Sequence, residues 1–386
     1  MRTLRKKLAV FVVLPIATLA VLVFAASWYL SGLIGCRGFK PIEAPAPPDV
    51  EVVSQESTVI TLRNTGIANE CGAIKDVVQK PGIWGLTWPG GYAHVGPVRS
   101  VDDGRGEVVR DFTPVGGTPP PGGLASLTYP FPVDPMQAHR IPFTEVSYRS
   151  PLGQTPAWLT EGKRDTWVIF VHGKGAKRTE AMRVLKTVSD LDFPGLVITY
   201  RNDSEAPRAP TGAYQYGRTE WEDLEAAVGF ALDAGARDVI LVGYSMGGAI
   251  VASFLFQSNL AENVRGVILD APMLDFGATV DLGIKEFGLP GIAAGPPKWI
   301  ASWRYNIDWA AMDYVSRARE LRTPVLLLHG AADDIVPVSI GDQFAAARPD
   351  LITYERFETA HHVTSWNVDP QRYERALRDF LRFLTS

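Results

Sequence analysis

From Ile141 onward, short uninterrupted apolar runs alternate with segments whose apolar positions recur at helical spacing. The runs are WVIFVHG, LVITYRN, VILVGYS, GVILDAP, PVLLLHG and LITYERF; helices are expected between them over Arg178–Asp190, Thr219–Ala234 and Met246–Gln257. A strand buried on both faces has no polar side. Fully apolar runs between helices therefore predict a mostly parallel sheet covered on both faces. FTEVSYRS and TPAWLTEG, just before the first run, read as an antiparallel pair. In such sheets ligands bind outside the carboxyl ends of the strands, so chemistry is to be sought where the runs stop.

The N-terminal third follows other patterns. Leu8 to Leu30 carries no charge and is preceded by Arg2, Arg5, Lys6 and Lys7. A run of that length is enough for a membrane-spanning helix, longer than a secretory apolar region, and it lacks the polar face of a surface helix. The basic cluster before it predicts a cytoplasmic N-terminus, with everything after about Leu33 facing outward. LIGC, Leu33 to Cys36, also resembles a lipid-attachment box, although SWYLSG intervenes between it and the apolar run. Cys36 and Cys71 are the two cysteines; lipid attachment at Cys36, a disulfide and two free thiols all stay open. KPIEAPAPPDV is an extended spacer. Up to Arg140, TVITLRN, IWGLTW, HVGPVRSV and GEVVRDF predict short strands between Gly, Pro and Asp turns, with PVGGTPPPGGL as a loop. Trp84, Trp88 and Tyr92 there serve either a binding surface or packing. The chain thus divides into a membrane anchor over 1–31, a Pro-rich linker with a small β-rich domain over 32–140, and an α/β domain over 141–386.

Composition adds exclusions. With 46% apolar and 21% charged residues a full core is available, and a net charge of −4 argues against nucleic acid. No Cys/His cluster at ligand spacing and no H-E-x-x-H occurs, so neither metal nor organic cofactor is implied.

Three strand ends carry chemistry. VILVGYSMGGAI holds Gly243-Tyr244-Ser245-Met246-Gly247, a G-x-S-x-G turn that lifts a serine Oγ above the sheet. Acyl transfer needs two backbone donors for an oxyanion. One follows the nucleophile, at Met246; the other comes from the loop after WVIFVHG, at Lys174. His172 in that loop reads as a bracing residue, and GKGAKRT lacks the spacing of a phosphate-binding loop. Lys174, Lys177 and Arg178 there either attract an anionic substrate or form a solvated loop. After PVLLLHG come Asp333 and Asp334, either able to orient an imidazole; Asp270, ending VILDAP, is the alternative acid, and His329 reads as structural.

Gly243–Gly247, His172-Gly173, HGAADDIVP and AHHVTSWN together, in this order, resemble the α/β-hydrolase superfamily, in its serine-esterase, lipase and prolyl-oligopeptidase-like branches, over about Ile141 to Ser386. The resemblance implies a doubly wound α/β-hydrolase sheet with a lid insertion over about 273–322, and a Ser-Asp-His triad. The acid of that family stands three residues after this His-Gly, which selects Asp333 over Asp334. Its base follows a small residue and often a glycine, which puts His362 at the base and His361 at the glycine position, where a left-handed backbone is expected. The implied activity is hydrolysis of a carboxylic ester, acyl or lipid-like, through an acyl-enzyme formed on Ser245. A serine peptidase, an acyltransferase and a surface binding module on a hydrolase scaffold are the alternatives.

Overall fold

The computed structural model describes residues 2–42, 47–74, 76–285 and 287–385. The charge-free run forms α1 (Arg2–Ile34), which ends in a π-helical turn over Gly35–Phe39. It is the one helix among the described residues long and apolar enough to cross a membrane. Of the spacer that follows, residues 43–46 lie outside the described residues.

Six antiparallel strands then close a small barrel: β1 (Val50–Gln55), β2 (Val59–Asn64), β3 (Trp84–Trp88), β4 (Gly91–Asp102), β5 (Glu107–Gly116) and β6 (Leu124–Thr128), in the order β1-β2-β5-β4-β3-β6. Closure leaves no free edge. Val52, Ile60, Leu62, Leu86, Val95 and Val108 fill it from alternate positions. Trp84 belongs to this core and Trp88 packs on it, which favours the packing role for both. Arg110 is fully buried and donates to four carbonyls, those of Val78, Lys80, Gly82 and Gly96. Burial lowers its pKa to about 10.

The larger unit begins after α2 (Pro135–His139). Its strands are β7 (Phe143–Ser150), β8 (Gly153–Thr160), β9 (Thr166–Val171), β10 (Gly195–Ile198), β11 (Asp238–Tyr244), β12 (Val264–Asp270), β13 (Val325–Gly330) and β14 (Ile352–Phe357). They form one eight-stranded sheet in the order β14-β13-β12-β11-β9-β10-β8-β7. β9 to β14 run parallel, and β7 and β8 complete the edge as the expected antiparallel pair. The helices are α3 (Met182–Asp190), α4 (Trp221–Asp233), α5 (Met246–Gln257), α6 (Phe276–Lys285), α7 (Gly295–Tyr305), α8 (Val338–Ala347), α9 (Ser365–Val368) and α10 (Pro370–Thr385). Alternate residues of each strand serve two cores. Ile169, Val171 and Leu241 face α4, α5 and α8, whereas Val168, Phe170 and Val242 face α3 and α10. This is the α/β-hydrolase arrangement, and α6 and α7 occupy the insertion between β12 and β13.

The N-terminal parts are fastened to one another by a disulfide and to the larger unit by hydrogen bonds. Cys36 and Cys71 form a disulfide with a Cα–Cα distance of 5.9 Å, so Cys36 keeps no thiol for lipid attachment. At the barrel, Ile83 N–H donates to Asn367 O (2.9 Å) and Asn367 Nδ2 donates to Ile83 O (2.7 Å). Gly82, at φ +89°, permits this approach, since a Cβ there would lie 2.2 Å from the Asn367 carbonyl.

Candidate active site

Ser245 stands between the end of β11 and the first turn of α5 with φ 49° and ψ −116°, a backbone that side-chain-bearing residues rarely adopt. Neighbouring bonds over-determine that strain. Ser245 N–H donates to Asp270 O (3.0 Å), while Gly248 N–H and Met273 N–H both donate to Ser245 O (2.9 Å). Gly247 is required by contact: a Cβ there would sit 2.1 Å from Val171 O.

His362 connects this serine to Asp333. Its Nε2 lies 2.8 Å from Ser245 Oγ, and its Nδ1 lies 2.9 Å from Asp333 Oδ2. An ionised carboxylate only accepts, so the hydrogen-bond network assigns the proton to Nδ1 and leaves Nε2 to accept from the hydroxyl. Asp333 is saturated with donors: Oδ1 accepts from the Ile335 and Val336 amides (2.9 and 2.8 Å), and Oδ2 also lies 3.2 Å from His329 Nε2. Burial alone would raise the Asp333 pKa. The adjoining His362 and His329 outweigh it and hold the carboxyl well below the usual range. Burial would likewise lower the His362 pKa, but Asp333 more than offsets it and the imidazole is raised above its ordinary value. The arrangement can move a proton from Ser245 Oγ to Nε2 while Asp333 stays ionised.

The loop after β9 lies directly over the serine. A Cβ on Gly173 would be 3.1 Å from Ser245 Cβ. Gly173 N–H is spent on Glu180 Oε2 (2.7 Å), whereas the amides of Lys174 and Met246 donate to no protein acceptor among the described residues. The Lys174 side chain turns toward Tyr214, with Nζ 5.8 Å from the ring centroid, and burial lowers its pKa to about 8.

The other singled-out residues take supporting places. Asp270 carries no bond to His362. Its Oδ2 accepts from Tyr373 O–H (3.1 Å), and burial raises its pKa to about 6. His172 braces its loop: Nε2 meets Asp203 Oδ2 (2.9 Å), Nδ1 meets Gly173 O (2.9 Å), and the ring stacks on Tyr200. Arg178 is neither solvated nor free to attract a substrate; it is buried over Trp158 and paired with Glu145 and Glu205. The expected left-handed backbone at His361 is not found. Val363, two positions on, takes it instead (φ 53°), with its carbonyl held by Arg183 Nη1 at 2.5 Å.

That arginine, with Glu180, escaped the reading of the sequence. Both are buried on α3 or the turn before it. Glu180 holds the Gly173 amide. Arg183 holds Val363 O and Asn367 Oδ1 (3.3 Å), so the pair ties the loop over the serine to the loop bearing His362. The available signal was two opposite charges, three residues apart, on the apolar face of a helix.

The sequence model of the alpha/beta hydrolase family matches residues 168–376, and that of a domain of unknown function, DUF8805, matches residues 75–128. No curated protein matches the chain. Among solved structures, the chain is similar to the Pyrococcus furiosus esterase Pf2001. In one crystal form of that esterase the identity is 19% and the TM-score 0.52, covering 65% of this chain and 95% of that one. In a second form the identity is 18% and the TM-score 0.53, covering 65% and 94%.

Proposed function

The chain belongs to the alpha/beta hydrolase family, and on that premise we propose that it is a serine hydrolase cleaving a carboxylic ester with an acyl or lipid-like group. The observation that carries this reading is the single imidazole bonded to both Ser245 Oγ and Asp333. Ser245 Oγ attacks the acyl carbon as its proton passes to His362 Nε2. The tetrahedral oxyanion lies against the Met246 and Lys174 amides. The imidazolium returns its proton to the leaving alkoxide, and the acyl group remains on Ser245. Water, losing a proton to Nε2, then attacks the acyl-enzyme; the acyl–Oγ bond breaks, the imidazolium returns that proton to Ser245 Oγ, and the carboxylic acid is freed. The steps use only this chain's groups and water.

The charge-free α1 behind a basic cluster supports a single-pass anchor with a cytoplasmic N-terminus. The Cys36–Cys71 disulfide supports an oxidising, extracytoplasmic setting for the enzyme. The barrel and linker over 32–140 then stand outside the membrane beside the hydrolase domain over 141–386.

The test is a fluorophosphonate probe followed by a panel of esters and peptide amides. Labelling of the wild-type chain, its loss in Ser245→Ala, and turnover of esters over amides are expected. Turnover falls on the order of a million-fold in that variant. Faster cleavage of amides would make the protein a peptidase, and acyl transfer to an added alcohol in preference to water would make it an acyltransferase. A wild-type chain that takes no label would make it a binding scaffold.

A further inference from the structure

The lid is fastened to the end of the anchor. Ser27, Leu30, Ser31 and Ile34 of α1 are buried, while Trp28 and Tyr29 between them are exposed. Arg304 of α7 donates to Trp28 O (2.9 Å) and Ser31 Oγ (2.7 Å), and its guanidinium lies 4.2 Å from the Trp28 ring centroid. Trp303 meets Trp28 at 6.3 Å between centroids. Gly35 admits Tyr305 so closely that a Cβ would fall 2.3 Å from its ring. Beyond α1, Phe39 packs edge-on against Tyr216 and Phe276, and Ile42 reaches Gly175 in the loop over the serine.

The lid's outer face is the exposed apolar patch of the hydrolase unit. Phe287, Leu289, Ile292, Trp299 and Trp303 are all exposed, Ile292 at 88%, Trp299 at 73% and Trp303 at 75%. From Ile141 on, the only other large apolar side chains so exposed among the described residues are Ile335 and Phe383. A patch of this kind marks an interaction site rather than scattered surface residues. Its position says what covers it. Roughly 20 residues, about 30 Å of helix, separate Lys7 from Trp28, which matches the hydrocarbon core of a bilayer. Trp28 and Tyr29 therefore fall at the outer interface, where amphipathic rings concentrate, and Trp303 stands beside them.

We infer that the lid face carrying Phe287, Ile292, Trp299 and Trp303 is a second membrane contact, seated in the outer interface of the bilayer that α1 crosses. The inference rests on the reading of α1 as a membrane span, not on the ester chemistry. The patch is continuous with the anchor through the Trp28–Trp303 contact, so lipid already surrounds one of its borders. Seated this way, the lid and the chain leading to Gly175 face the membrane. An ester dissolved in the outer leaflet then reaches the lid without crossing bulk water.

The test uses the full chain in phosphatidylcholine/phosphatidylglycerol vesicles. Ile292→Cys, Trp299→Cys and, as control on the opposite side of the sheet, Phe383→Cys are labelled with a nitroxide. Collision with oxygen is compared with collision with a water-soluble nickel complex. Positions 292 and 299 are expected to show a several-fold higher oxygen-to-nickel ratio than 383; equal ratios would overturn the inference. Because the substitutions can disturb the lid, the unmodified chain is also treated with a photoactivatable phospholipid and its cross-links mapped. Cross-links in both α1 and residues 287–303 support the inference. Cross-links in α1 with a bare lid overturn it and leave the anchor intact; absence from α1 overturns both.

Discussion

Two histidine–carboxylate pairs lie at the strand ends, alike in most respects. His172 meets Asp203 at 2.9 Å and His362 meets Asp333 at 2.9 Å, each ring raised in pKa by its carboxylate against the lowering effect of burial. They differ in what faces the second ring nitrogen. For His172 it is the Gly173 carbonyl, which only accepts, so both nitrogens are placed to donate and neither is left to take a proton. For His362 it is the Ser245 hydroxyl, which can donate, so the ring can be neutral and able to take a proton. A pair of this kind becomes a proton relay or a brace according to its third partner, not according to its own distance or burial.

Substitution of the relay should have the largest effect. His362→Ala is expected to lower kcat for esters on the order of a million-fold, and Asp333→Asn about 10⁴-fold, because the amide no longer enforces the productive tautomer. The wild-type pH profile sharpens the point. On the proposed mechanism turnover needs neutral His362, so kcat/KM is expected to rise with pH through a pKa above the ordinary imidazole value of about 6.5. Removing the Asp333 charge removes what raises that pKa, and the acid limb should move to lower pH in Asp333→Asn. A limb that stays in place would separate the titrating group from this pair.

What the sequence made legible follows the range of the interactions involved. The six parallel strands and the elbow at Ser245 depend on local spacing, and both lie where expected. The choices of Asp333 and His362 rest on the family resemblance, and the structure brings the two side chains together with Ser245. The N-terminal side depends on contacts between distant residues. β1 and β6 pair across some 70 residues and were not anticipated, nor was Arg110 held by four carbonyls. Cys36–Cys71 and Gly35–Tyr305 rest on proximity, which spacing does not encode. The misplaced left-handed residue has a similar cause: Val363 is held there by Arg183, 180 positions earlier, against the preference of a β-branched side chain.

Breaking the brace should cost less than breaking the relay. His172→Ala leaves the half-buried Asp203 carboxylate without its imidazole partner and frees the loop that carries Gly173 and Lys174. A displacement of the Lys174 amide by about 1 Å is expected to lower kcat/KM about 10²-fold. Fluorophosphonate labelling should slow but persist, and the acid limb should keep its wild-type position, because His172 takes no proton during turnover. A loss equal to that of His362→Ala, or a shifted limb, would place His172 in the relay and remove the distinction between the two pairs.

The smallest effect is expected from the other member of the adjacent histidine pair, His361. Its side chain is about one-third exposed, and Nδ1 stands 3.7 Å from Asp334 Oδ1, too far for a hydrogen bond. Consecutive residues point apart here: His362 turns inward to Ser245 and Asp333, and His361 turns to the rim. What His361 contributes to the loop is its carbonyl, which accepts from Thr364 Oγ1 (3.0 Å) and Thr364 N–H (3.3 Å), and alanine keeps both bonds. Its backbone has no positive φ for a Cβ to strain. A surface substitution that keeps its backbone bonds shifts free energy by about 0.5 kcal/mol or less, so His361→Ala should hold kcat/KM within about threefold. Assayed beside His362→Ala on the same ester, it separates the two histidines by several orders of magnitude. Comparable collapse of both variants would mean that the rim histidine also handles the proton, and the third-partner rule drawn from His172 and His362 would fail at the site it was meant to explain.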